Sequence, residues 1–198
     1  MGSKQINACV LGASGYTGAE MLRLLASHPF INVTAATANA LAGRKLTDVY
    51  PHLSSYGDME LTTVEDVDWS DVQVAVSCLP HGTSQDVVEG LPDHVRVVDL
   101  SADYRFRDAS VYSEVYARSH LTPERTANAV YGLTEFARPY LADAKTVACP
   151  GCYPTATLLC LLPLSEAGVI EKRGLIIDAK SGVSGAGRSL KEGNLFCE

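Results

Sequence analysis

The stretch INACVLGASGYTG, Ile6 to Gly18, decides the fold class. Ile6 to Leu11 is a short apolar run of the kind that forms a parallel strand buried on both faces, and it ends directly in a glycine-rich turn. From Ala19 to Ala26 the apolar residues recur at helical spacing, and His28-Pro29 closes that helix. Strand, glycine turn and helix in this order open a dinucleotide-binding βαβ unit. The glycines let the backbone turn sharply and approach a pyrophosphate, whose charge rests on the helix N-terminus. The spacing is G-x-x-G-x-x-G rather than G-x-G-x-x-G. Its position between strand and helix makes the match more specific than the glycines alone.

Further strands are expected at Asn32 to Thr37, Val72 to Leu79, Val95 to Leu100, Thr146 to Cys149 and Gly174 to Lys180. At the end of the second strand a carboxylate normally takes the ribose 2′-hydroxyl of NAD, but here Thr37-Ala38-Asn39-Ala40 is followed by Gly43-Arg44-Lys45. A missing acid with cations nearby suits a 2′-phosphate and favours NADP(H), with Thr37 and Arg44 at the cofactor; a solvated turn is the alternative. Pro80-His81-Gly82-Thr83-Ser84 closes the third strand before a helix, at the carboxyl end where ligands of open α/β sheets bind. His81 is either a cofactor neighbour or a residue that only shapes this turn. Arg105, just past the fourth strand, has the fork geometry to hold a phosphate or carboxylate, while Asp103 holds the loop. Phe106 to Asp143 reads as less regular, and the small residues of Ser181 to Arg188 permit close backbone approach to a ligand or form a surface loop.

With 198 residues, the chain holds one ordinary domain and part of another. Hydrophobic residues at 46% against 20% charged read as a soluble globular protein, and a net charge of -7 argues against nucleic-acid or anionic-membrane surfaces. No apolar run approaches the ~20 residues that span a bilayer. Six cysteines allow three disulfides, but Cys9, Cys78 and Cys160 lie inside apolar runs. A reducing cytoplasm with free thiols is therefore the simpler reading. Nothing in the pattern calls for a metal.

ACPGCYPTATLLCLL, Ala148 to Leu162, carries the candidate chemistry. Turn residues, then Pro154, then good helix formers put Cys152 at or just before a helix N-terminus. Unpaired N–H groups and the positive end of the helix dipole favour a thiolate there, the form that attacks carbonyl carbon. Pro154 fits the first turn, where its missing N–H costs nothing. An ordinary buried thiol is the alternative.

Taken together, GASGYTGAE (Gly12 to Glu20), LPHGTS (Leu79 to Ser84), DLSADYR (Asp99 to Arg105), YGLTE (Tyr131 to Glu135), PGCYPT (Pro150 to Thr155) and DAKSGVSGAGR (Asp178 to Arg188) resemble the N-acetyl-γ-glutamyl-phosphate reductases of arginine biosynthesis. They run in order along essentially the whole chain. PGCYPT separates them from aspartate-semialdehyde dehydrogenases, whose cysteine usually follows an asparagine. The resemblance implies an α/β fold: a Rossmann-type doubly wound parallel sheet over residues 1–149, followed at 150–198 by the start of a glyceraldehyde-3-phosphate-dehydrogenase-like α+β domain. It implies NADPH-dependent reduction of the acyl phosphate to the semialdehyde. Cys152 would displace phosphate to leave a thioester, hydride from NADPH would give a thiohemiacetal, and its collapse would free the thiol. Gly12, Ser14, Gly15, Tyr16, Thr17, Gly18, Pro80, His81, Gly82, Ser181 and Gly182 would line NADP(H), and Arg105 and Ser184 would meet the substrate. A homo-oligomer, dimer or tetramer, is implied as well. Which close acyl phosphate is preferred, for instance a carrier-linked aminoadipyl analogue, stays open.

Two departures matter. The family carries an acid/base histidine in its second domain, whereas no histidine follows His120 here, so a chain incomplete in that domain and weak in turnover is expected. Second, Cys149 stands where the family commonly has asparagine, giving Cys149-Pro150-Gly151-Cys152. C-x-x-C at a helix start is also the thioredoxin arrangement. An NADP-binding redox sensor that uses this pair as a switch is therefore the competing reading, and a passive packing Cys149 the plainer one. A thioredoxin-like exchanger ranks last, because several strands and a dinucleotide loop precede the cysteines.

Overall fold

In the computed structural model, which describes residues 5–188, the chain falls into two compact units that meet in sequence between Cys149 and Pro150. The first is built outward from β1 (Ile6–Leu11), whose Ala8, Cys9, Val10 and Leu11 are all fully buried. A strand in the middle of a parallel sheet is covered on both faces, so its run is continuously apolar instead of alternating. Period two still sorts its side chains: Cys9 and Leu11 join one core cluster and Val10 the other.

The chain passes through α1 (Tyr16–Leu25), β2 (Ile31–Ala36), the short α2 (Leu46–Val49), β3 (Val74–Ser77), α3 (Thr83–Glu89) and β4 (Arg96–Asp99). It continues through α4 (Ala109–Tyr116), α5 (Pro123–Asn128), β5 (Val130–Tyr131), α6 (Thr134–Leu141) and β6 (Thr146–Ala148). The six strands are parallel in the order β2-β1-β3-β4-β6-β5. Ala19, Leu22 and Leu25 of α1 pack with Val10, while Val88 of α3 packs with Cys9 and Leu11. Helices therefore cover both faces, the doubly wound arrangement expected. The strand order reverses between β1 and β3, and ligands of such sheets bind beyond the carboxyl ends at this point.

Two glycines set the turn out of β1. Gly12 has φ +74°, and a Cβ there would lie 2.8 Å from the Cys78 carbonyl oxygen just beyond β3. A Cβ on Gly18 would lie 2.4 Å from the Gly12 oxygen. The loop thus folds against both its own helix and its neighbouring strand at distances only glycine permits.

Several boundaries differ from the sequence reading. The first helix starts at Tyr16 rather than Ala19, inside the glycine motif. Residues 106–143 are more regular than expected, holding α4, α5, α6 and β5. These elements are too short for a sustained helical period. Their signals are local: the Asp108 carboxylate accepts the Ser110 N–H at the start of α4, and Pro123 opens α5. Gly174 to Lys180, expected as a strand, carries no strand pairing among the described residues, and Ile176 is 95% exposed. An apolar run becomes a strand only where a neighbour supplies hydrogen-bond partners.

The second unit opens with α7 (Cys152–Glu166), capped by Gly151. A 3₁₀ turn at Val183–Ala186 follows the extended segment. No helix among the described residues is long and apolar enough to cross a membrane.

Gly12→Ala should lower stability by about 1–2 kcal/mol from left-handed backbone alone, with the encounter at the Cys78 carbonyl adding to it. Urea unfolding should show the midpoint falling at unchanged slope; an unshifted midpoint would contradict this account of the turn.

Candidate functional site

At the carboxyl edge of β1, α1 presents an uncapped N-terminus. Gly15 is its N-cap and supplies no side-chain cap, and no acidic residue lies in the first turn. Tyr16 and Thr17 are exposed. A Cβ on Gly15 would meet only the Gly12 oxygen, at an ordinary 3.6 Å. The loop's own packing therefore demands glycine at 12 and 18 but not at 15. The loop is tied to the end of β2, since Ala13 N–H donates to Thr37 O (2.8 Å) and Thr37 N–H to Val10 O (2.9 Å). Tyr50 Oη adds a bond to Ser14 O at 2.6 Å. Thr37 itself is buried. Beyond it, Lys45 pairs with Asp58 at 2.6 Å, whereas the exposed Arg44 guanidinium has no such partner among the described residues.

The loops after β3 and β4 are locked together by two buried carboxylates. Asp103 accepts from Gly82 N–H through both oxygens (2.7 and 2.9 Å), from Gln85 N–H (3.0 Å) and from Tyr112 Oη (2.9 Å). The N-terminus of α3 is thus occupied by protein, unlike that of α1. Asp99, at the end of β4, accepts from Ser84 Oγ (2.5 Å) and Ser101 Oγ (2.6 Å). Because Ser84 has one hydroxyl proton and gives it to Asp99, Ser77 must be the donor in the 2.7 Å Ser77–Ser84 contact. Burial pushes the Asp99 carboxyl above the ordinary carboxylate value, and the serine donors pull the other way. His81 is exposed, and its Nδ1 accepts Ala102 N–H at 3.0 Å, which leaves the proton of the neutral ring on Nε2.

Arg105 is half-buried beside these loops. Its Nε donates to Cys149 O (2.8 Å) and one Nη to Leu100 O (3.0 Å). The side-on fork is therefore spent on backbone, and the end-on pair of Nη groups is what remains for an anion.

The sheet edge thus brings together Gly12, Ser14, Gly15, Tyr16, Thr17 and Gly18 with Thr37 and with Pro80, His81, Gly82 and Arg105. Cys152, Ser181, Gly182 and Ser184 belong to the second unit. Cys152 is exposed and is the first residue of α7, at the helix N-terminus, with no acidic residue in the first turn. Just ahead of the 3₁₀ turn Ser181 Oγ donates to Gly182 O, and Ser184, within the turn, is exposed. The five described cysteines are free. Burial pushes Cys9 and Cys78 up to about 12 and Cys149 up to about 11. Asp99, Ser77, Ser84, Tyr112 and Gln85 were not singled out from sequence. For Asp99 the available signal was an acid closing an apolar strand, Val97-Val98-Asp99.

Residues 7–144 match the family model described as semialdehyde dehydrogenase, NAD binding domain, and residues 152–198 the model for the semialdehyde dehydrogenase dimerisation domain. The chain is 50% identical over 195 residues to a probable chloroplastic N-acetyl-gamma-glutamyl-phosphate reductase of Oryza sativa, covering 98% of this chain and 47% of that protein. To the N-acetyl-gamma-glutamyl-phosphate reductase of Rhodospirillum rubrum it is 49% identical over 201 residues, covering 99% of this chain and 57% of the relative. The chain therefore spans about half the length of these relatives. Among solved structures, aspartate semialdehyde dehydrogenase II of Vibrio cholerae aligns with a TM-score of 0.58 at 18% identity, over 83% of this chain and 43% of that one. Aspartate semialdehyde dehydrogenase with NADP from Candida albicans aligns at 0.56 and 18%, over 83% and 48%. These two likenesses concern the fold.

With its folded-state pKa raised, Asp99 contributes stability that is present below the ordinary carboxylate range and is lost as pH rises through the folded value. Asparagine stays neutral throughout. The stability of the wild-type chain relative to Asp99→Asn should therefore fall as pH rises above about 4. Paired urea titrations between acid and neutral pH test this, and a difference that grows with pH would contradict it.

Proposed function

Because the chain belongs to the semialdehyde dehydrogenase family through its NAD-binding domain, we propose that it is the cofactor-binding and nucleophile-bearing part of an NADPH-dependent N-acetyl-γ-glutamyl-phosphate reductase. The product would be N-acetylglutamate 5-semialdehyde, formed with release of phosphate in arginine biosynthesis. The relatives named as such reductases, at about half identity along nearly all of this chain, support the substrate class. The observation that carries the chemistry is the contrast among the thiols. Three are held protonated by burial; of the two exposed ones, Cys160 lies within the 15-residue helix and Cys152 stands at its head.

On this reading Cys152, presented at the head of α7, attacks the acyl carbon through its sulfur as the thiolate. The phosphate leaves with the electron pair of the broken bond, and the acyl group stays on sulfur as a thioester. When bound, NADPH supplies the hydride that brings the acyl group to the aldehyde level. Cys152 then departs as thiolate and is ready for another turn. Arg105, with its end-on fork, and Ser184 hold the substrate's phosphate or carboxylate.

The residues at the sheet edge fit a dinucleotide. The space that a Cβ on Gly15 would take, beside the uncapped α1, suits a pyrophosphate, with Gly12, Ser14, Tyr16, Thr17 and Gly18 shaping that turn. Arg44, exposed and without an ion-pair partner among the described residues, suits the 2′-phosphate that distinguishes NADP(H) from NAD(H), and the buried Thr37 shapes the turn beneath it. Pro80, His81, Gly82, Ser181 and Gly182 complete the cofactor contacts. The match to a dimerisation-domain model supports a homo-oligomer. The free thiols suit a reducing cytoplasm. The alternative, a redox switch through Cys149 and Cys152, has less support. Burial raises the Cys149 thiol to about 11, which makes it a poor leaving thiolate when such a disulfide is opened again.

Cys152→Ser in the full-length protein should lower phosphate-dependent NADP reduction with N-acetylglutamate semialdehyde by at least ~10³-fold, with NADPH binding retained. Residual activity within tenfold of wild type would remove Cys152 as nucleophile. Arg44→Ala should weaken NADPH binding by roughly 10- to 100-fold and leave NADH nearly unchanged. Fluorescence titration with both nucleotides checks this, and an unchanged ratio would remove Arg44 from the 2′-phosphate.

A further inference from the structure

We propose that Asp103 is a positioning residue for the nicotinamide half of the cofactor: its carboxylate, reaching across from the loop after β4, sets the shape of the Pro80–Gln85 segment. The inference rests on the nucleotide reading above and concerns which part of the nucleotide this segment serves.

Asp103 is fully buried, yet it belongs to neither apolar cluster of the sheet. Its partners are instead the loop after β3 and α4. Gly82 has φ +79°, a left-handed kink, and its N–H bridges both carboxylate oxygens, while the Gln85 N–H one turn later reaches Oδ2. The backbone of Asp103 is held in turn: its N–H donates to Ser101 Oγ (3.0 Å), and its carbonyl meets His120 Nε2 at 2.7 Å. Tyr112 Oη donates to Oδ1 and accepts from Gln85 Nε2 at 3.1 Å. Ala102 N–H holds His81 from the same side. One carboxylate therefore fixes both the kink and the helix start of the segment that carries Pro80, His81 and Gly82.

The sheet order says which half of the nucleotide this segment faces. A pyrophosphate at the β1 turn, with the adenosine 2′-phosphate toward Arg44 beyond β2, leaves the other half to run over β3 and β4. The N–H groups of Gly82 and Gln85 are taken by Asp103. The segment therefore offers shape and the His81 ring rather than an anion site. Asp103 touches no ligand itself and acts through Gly82.

Asp103→Asn keeps the volume but turns an amide donor toward N–H groups that need acceptors. In titrations of the chain, NADPH should bind about tenfold more weakly than to wild type, as loss of a charge-assisted hydrogen bond implies. Binding of 2′,5′-ADP, which lacks the nicotinamide half, should stay within about twofold. Equal weakening of both ligands, or of neither, overturns the inference. Where Asp103→Asn shows no cooperative unfolding transition, Tyr112→Phe serves instead. It should weaken NADPH by about two- to fivefold, as removal of a single hydrogen bond implies, and leave 2′,5′-ADP unchanged. NADPH affinity equal to wild type in that variant overturns the inference. A wild-type chain that binds neither ligand overturns the nucleotide reading and this inference with it.

Discussion

The close approach of Gly12 to the carbonyl after β3, together with that of Gly18 to Gly12, is the constraint on which the sheet edge depends. It turns the central strand into α1 within four residues and leaves room for no side chain at 12 or 18. Because β1 lies between β2 and β3, the same turn sits where the chain's winding reverses. The crevice of the fold is thus a direct result of backbone packed against backbone. Bonds from Ala13 to Thr37 and from Tyr50 to Ser14 hold the turn from the β2 side.

Beyond that turn the edge is organised by polar contacts away from water. Asp99 and Asp103 collect hydroxyl and N–H donors from four segments, and Ser101 links the two acids. A half-satisfied network of this kind would cost more than an apolar filling, whereas a complete one fixes a single arrangement. The two helix starts next to each other consequently differ in kind. α3 is closed by a protein carboxylate, whereas α1 has a glycine N-cap and no acid in its first turn.

The strands and the glycine turn were legible because a strand covered on both faces has an uninterrupted apolar run, and because glycine marks backbone that nothing else fits. Cys152 at a helix head was legible for a similar reason: Pro-Gly before it and Pro154 after it leave the backbone few options. Phe106 to Asp143 was not, since α4 to α6 are each no longer than eight residues and α6 contains Pro139. Gly174 to Lys180 shows the opposite failure. Leu175, Ile176 and Ile177 have strand-like composition, but composition does not provide a pairing edge. The donors that tie Asp99 and Asp103 to the loop after β3, Gly82, Ser84 and Gln85, lie 15 to 21 residues away in sequence, which no local pattern reveals. That Asp103 holds a loop was readable; which loop was not.

Gly15 separates two kinds of selection that usually coincide. Gly12 and Gly18 are required before any ligand arrives, so replacing them is penalised by misfolding alone. At position 15 the empty chain tolerates a methyl group, and quality control that recognises unfolded protein would pass such a variant. Only the demand for nucleotide would remove it from a population. Where that demand lapsed, position 15 would drift while the flanking glycines stayed.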